Sequence, residues 1–107
     1  MDIERLRRLL TRGTVTLRFS DHAFIEARKD GLSTAHLRAA SERGRVIEDY
    51  GERALLLHFA PEDRLPYHVV LEYAVGDAQA TVVTAYAPEA EKWERDWKTR
   101  RRRRRRK

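Results

Sequence analysis

Three apolar runs stand close together in the second half of the chain, at residues 54–60 (ALLLHFA), 67–74 (YHVVLEYA) and 80–86 (ATVVTAY). Each has strand length and is rich in branched or aromatic side chains. Between the first two lies PEDRLP, whose two prolines exclude regular structure. Between the last two, Gly76-Asp77 marks a tight turn. Runs this short with connections this short predict an antiparallel meander, because a parallel pairing needs a longer crossover. Residues 46–50 predict a further strand at the edge. A meander of this size is unstable without a layer of helices on one face.

The first half supplies that layer. Ile3, Leu6, Leu9 and Leu10 recur at helical spacing, with Asp2 as a cap and Gly13 just past the end. Residues 14–19 (TVTLRF) read as a short strand or an extended lead-in. Ser20 then fits an N-cap with Asp21 in the first turn, and Ala23, Phe24 and Ala27 give the helix its apolar stripe up to Gly31. Ser33 opens a third helix, with Leu37, Ala40 and Ser41 inward and Gly44 at its close. Pro88 suits the first position of a last helix, with Glu89 and Glu91 in its first turn and Ala90, Trp93 and Trp97 on its inner side. The expected fold is α+β: N-terminal helices on one face of a small twisted antiparallel sheet of three or four strands, then a C-terminal helix.

The chain's 107 residues and 41% hydrophobic content allow one core. With no cysteine there is no disulfide, no thiolate zinc site and no cysteine nucleophile. The apolar runs are too short to span a bilayer, and the first ten residues mix charges among leucines, unlike a signal peptide. A cytoplasmic protein without a membrane partner is expected. The net charge of +6 invites a nucleic-acid reading. It comes from residues 100–107 (RRRRRRRK), since all the acidic groups lie earlier and leave residues 1–99 slightly negative. The expected organisation is one domain over residues 1–99 and a disordered poly-arginine tail over 100–107 that gathers RNA or acidic partners, or merely aids solubility.

Strand alternation sorts the side chains with chemistry. If the faces with more large apolar groups pack on the helices, the other face carries His58, His68, Glu72, Thr84 and Tyr86. A three-residue Val75-Gly76-Asp77 loop with a bulge sets His68 opposite Thr84 and keeps that face polar; a two-residue turn would set Val69 there. Histidine, tyrosine and arginine together suit metal-free RNA cleavage. That reaction needs a base for the 2′-hydroxyl, an acid for the leaving 5′-oxygen and a cation on the phosphate. Arg64, in the loop before His68, is the candidate cation. The competing reading makes His68 and Tyr86 ordinary sheet residues. The four histidines show neither HxxxH nor HxH spacing, and there is no glycine-rich phosphate loop and no GxSxG turn, so neither metal nor cofactor is expected. Trp93 and Trp97 could stack bases but read as core anchors.

FSDHAFIEARKDGLS, GRVIEDY, PYHVVLEY and VVTAYAPEAEKW, in that order, resemble a bacterial domain family of unknown function, number 4258 in its series. The matching positions are Ser20, His22, Ala23, Arg28, Gly44, Val46, Ile47, His68, Val69, Val70, Thr84, Tyr86, Pro88 and Trp93. Asp30 stands where the family often has a basic residue. That family is similar to RelE-like ribonuclease toxins of the motility quorum-sensing regulator type. The likeness implies a RelE-like domain, and a toxin-like, metal-independent endoribonuclease acting on single-stranded RNA. It also implies a toxin–antitoxin pair whose partner is a zinc-finger or helix-turn-helix antitoxin. Its implied site is His22, His68 and Tyr86 as catalytic groups, with Arg28 and Thr84 joining Arg64 on RNA phosphate. His22 sits at a helix N-terminus, where anions bind well; its alternative is a structural histidine, and that of Arg28 an ion pair. The second function is a non-enzymatic RNA- or protein-binding module on the same fold.

Overall fold

The computed structural model describes residues 1–102; the expected disorder of the arginine tail from residue 103 onward lies outside them. Its elements run α1 (Ile3–Arg12), β1 (Thr16–Phe19), α2 (Asp21–Lys29), α3 (Thr34–Arg43), β2 (Arg45–Asp49), β3 (Arg53–Phe59), β4 (Pro66–Glu72) and β5 (Gln79–Tyr86).

Each helix starts where a side chain can take an orphan amide. Asp2 accepts from Arg5 N, Ser20 from Ala23 N, and Ser33 from His36 N. In α3 the box is completed by His36, whose Nδ1 accepts the Ser33 N–H at 2.9 Å. Gly13 ends α1 in the left-handed region (φ 76°), and the chain turns from there onto the sheet.

The five strands form one sheet in the order β1-β5-β4-β3-β2. This corrects the expected three or four antiparallel strands: β1 joins β5 in parallel, so the sheet is mixed. The parallel partner became available because α2 and α3 intervene between β1 and the meander, long enough for a crossover. Leu56, Val69, Leu71, Ala80, Val82 and Ala85 share one core with Leu6 of α1, Ala23 and Ala27 of α2, and Leu37 and Ala40 of α3. The three helices therefore cover that face. Arg7 ties α1 to the end of α3, donating to the carbonyls of Ser41 and Gly44.

The expected C-terminal helix is absent. After a single turn in which Lys92 N and Trp93 N donate to the Glu89 carbonyl, the chain doubles back as a small hairpin. Glu94 N donates to Thr99 O, Arg101 N to Lys92 O, and Trp93 bridges Arg100. Asp96 accounts for the turn. Its carboxylate accepts from the amides of Lys98 and Thr99 and from the Thr99 hydroxyl, the local bonding by which aspartate competes with helix. Trp97 takes a left-handed φ of 60°. The hairpin lies over the sheet face that the helices leave free, so both faces are covered there.

Among the described residues no helix is long and apolar enough to cross a membrane.

Candidate active site

Register lays out the free face, because directly paired residues point to the same side. One row across the sheet reads Arg45, Leu57, His68, Tyr86, the next Glu48, Leu55, Val70, Thr84, and the third Arg53, Glu72, Thr81, Arg18. His68 thus opposes Tyr86, and the expected His68–Thr84 pairing is corrected. A bulge leaves Val83 unpaired between Thr84 and Val82. The bulge that sets the register lies inside β5 and not at the Val75-Gly76-Asp77 turn where it was expected, and it keeps His68, Thr84 and Tyr86 on one face. His58 is corrected too. It pairs with Tyr67 on the helix side, edge-on to the Tyr67 ring at 5.9 Å, while Leu55 and Leu57 take the face assigned to it. Strand β3 is buried on both sides from Ala54 to Leu57, so its hydrophobicity carries no face signal.

His68 is fully buried although it is polar and titratable. The hairpin does this. Trp93, 2% exposed, stands edge-on to the imidazole with ring centres 4.4 Å apart, and the Trp97 carbonyl lies 2.6 Å from Nε2. A carbonyl only accepts, so Nε2 carries the proton. Nδ1 is then the lone-pair nitrogen, 3.4 Å from the Tyr86 hydroxyl. Burial holds the His68 pKa below the ordinary histidine value, against the opposing pull of its bond to Trp97 and of Glu48. Burial likewise raises the Tyr86 phenol.

Beside this pair Arg100 forks onto Glu48, Nε to Oε2 at 2.8 Å and the second nitrogen to Oε1 at 3.0 Å. The Arg100 guanidinium also lies 4.6 Å from the Trp93 ring centre. Tyr50 donates to the same carboxylate at 2.6 Å. The arginine fork, ahead of the tyrosine bond, holds Glu48 below the usual carboxylate range. Arg101 is anchored as well, donating to the carbonyls of Ala90 and Trp93. The first two members of the arginine run are therefore held in place by the fold.

The structure brings together His68, Tyr86 and, one row away, half-buried Thr84. It does not bring the other predicted site residues to them. His22 and Arg28 belong to α2, on the opposite side of the sheet, and both are exposed. Arg28 lies over the Phe24 ring at 5.7 Å instead of pairing with Glu26, which takes Lys29. Arg64 is exposed in the β3–β4 loop at φ 63°, and the charges that act on His68 are Glu48 and Arg100. Asp30 serves architecture, its carboxylate accepting the Ala87 N–H at 2.8 Å where the chain leaves β5. Glu48, Arg100 and the Trp97 carbonyl were missed by the sequence reading. Glu48 carries no motif, and Arg100 is hidden at the head of a uniform charge run.

Chemically, the cluster offers an imidazole whose Nδ1 lone pair faces only the Tyr86 phenol, and a guanidinium held beside them by Glu48. Among the described residues no three histidine or acidic side chains gather as a metal site. A cleft of about 780 Å³ lies elsewhere, between α1 and the β4–β5 turn, and holds none of the predicted site residues.

No curated protein and no solved structure matches the chain. The profile of the domain of unknown function family DUF4258 matches residues 19–87, from the end of β1 to just past Tyr86, and the chain belongs to that family.

Proposed function

We propose that the protein is a toxin-like endoribonuclease that cleaves single-stranded RNA without a metal, as the effector of a toxin–antitoxin pair. The observation that supports this most is the pairing of the His68 lone pair with the Tyr86 hydroxyl beside an arginine. His68 Nδ1 takes the 2′-hydroxyl proton as O2′ bonds to the adjacent phosphorus. The P–O5′ bond breaks, and the leaving 5′-oxygen takes the Tyr86 proton. The products are a 2′,3′-cyclic phosphate and a 5′-hydroxyl, and the proton on His68 then returns to the phenolate. Arg100 answers the charge on the phosphate, with the geometry that suits its fork.

The test is cleavage of single-stranded RNA by purified protein in EDTA, with the cyclic phosphate identified at the new 3′ end. Growth arrest on expression, relieved by a zinc-finger or helix-turn-helix protein encoded beside it, tests the pairing. Absence of both cleavage and growth arrest leaves the second reading, an RNA- or protein-binding module. One observation favours that reading: His68 is fully buried with both ring nitrogens engaged.

A further inference from the structure

The features that make His68 a base are closed off by the chain's own C-terminal segment. The hairpin over residues 92–101 holds itself together by backbone bonds, so it can move as a unit. Two attachments bind it to two neighbouring rows of the sheet: the Trp97 carbonyl on His68 Nε2, and the Arg100 fork on Glu48. Trp93 seals the space between them. The hairpin belongs to no continuous strand of the sheet, and its anchor arginine begins the run of seven arginines and a lysine.

We propose that residues 92–101 form an autoinhibitory strap over the His68–Tyr86 pair, latched by Arg100 on Glu48 and released when a nucleic-acid phosphate replaces that carboxylate. This rests on the reading of His68 and Tyr86 as the reactive pair. Carboxylate and phosphate oxygens compete for the same guanidinium fork. The following arginines raise the local concentration of a polyanion at the latch, in a salt-dependent way. Exchange at Arg100 frees the Trp97 carbonyl from His68 and leaves the guanidinium on the phosphate, where cleavage needs it. The protein is then silent without RNA and opened by it.

The experiment uses the full chain. Carbethoxylation of histidines is followed by mass spectrometry, with exposed His22 as the internal reference. In the unaltered protein His68 is expected to react far more slowly than His22. Glu48→Gln, which keeps the side chain's shape but weakens the fork, raises the His68 rate about tenfold. The charge-exchanged double variant Glu48→Arg with Arg100→Glu restores protection. A single-stranded DNA oligomer, which lacks the 2′-hydroxyl, serves as a phosphate probe. At low salt it abolishes the nuclear Overhauser contact between the His68 and Trp93 rings.

The proposal is overturned if His68 in the unaltered protein reacts as fast as His22. It is equally overturned if a folded Glu48→Gln protein protects His68 unchanged, if the double variant fails to restore protection, or if the DNA oligomer leaves the ring contact intact. RNA cleavage measured on the same samples separates the two ideas. Exposure of His68 without cleavage upholds the strap and removes the nuclease; cleavage with His68 still protected upholds the nuclease and removes the strap.

Discussion

The Trp97 carbonyl accepts the Nε2 proton of His68 at 2.6 Å, and with the hairpin seated this bond fixes the tautomer whose Nδ1 lone pair faces Tyr86. Trp97 reaches that position through a left-handed backbone turn stabilised by Asp96.

His68→Ala and Tyr86→Phe are each expected to lower the rate of RNA cleavage in EDTA at least about tenfold. Tyr86→Phe is the cleaner variant, because it removes one hydroxyl from a ring that stays in place. Steady-state cleavage of a labelled oligonucleotide checks both, with thermal melts to confirm folding.

Acid should destabilise the protein before its carboxylates titrate. The folded-state pKa values of His68 and His58 lie below the ordinary 6.5, in each case chiefly through burial. Above that value both states are neutral and nothing is lost. As the pH falls through about 6.5 the unfolded chain binds protons that the folded one refuses, so stability drops until the folded values are reached. Calorimetric melts from about pH 7.5 to about pH 5.5 should show a falling midpoint, and His68→Gln should flatten the slope.

Ser20→Ala should cost about 1–2 kcal/mol in chemical denaturation. The Ser20 hydroxyl accepts the Ala23 N–H at 3.0 Å and donates to the Val83 carbonyl at 2.9 Å. It caps α2 and satisfies the bulged residue of β5 with the same oxygen.

Gly44→Ala should destabilise by about 1–3 kcal/mol through crowding. A Cβ there would stand 2.5 Å from the Ala40 carbonyl oxygen, which is backbone and cannot swing aside. The same turn carries the Gly44 carbonyl that accepts from Arg7, so the effect should also loosen α1. Denaturation curves and amide exchange in α1 check the two parts.

Caps and turn residues made the three helices and the meander readable, because Asp2, Ser20, Ser33, Gly13 and the prolines act within a few positions of themselves. The parallel seam between β1 and β5 depends on residues some sixty positions apart, as in Thr16 with Gln79, and no local pattern encodes it. His58 was put on the wrong side because leucines fill both faces of β3 and erase alternation. Trp93 and Trp97 have helical spacing, yet one ring seals His68 and the Asp96 turn lies between them. Of the site, His68, Tyr86 and Thr84 were legible as strand positions of like parity. Their partners Glu48 and Arg100 are joined only by the folded chain.

The seam also orders events during synthesis. The ribosome delivers Thr16–Phe19 long before Gln79–Tyr86, and the order β1-β5-β4-β3-β2 makes the earliest strand wait for the latest. A growing chain can assemble helices and the β3–β4 hairpin, but β1 stays an unpaired edge until β5 emerges. The hairpin that buries His68 is later still. A chain stalled after β5 has emerged but before residues 92–101 follow would have its sheet complete and that histidine uncovered. A pulse of labelling on such stalled nascent chains should detect that state.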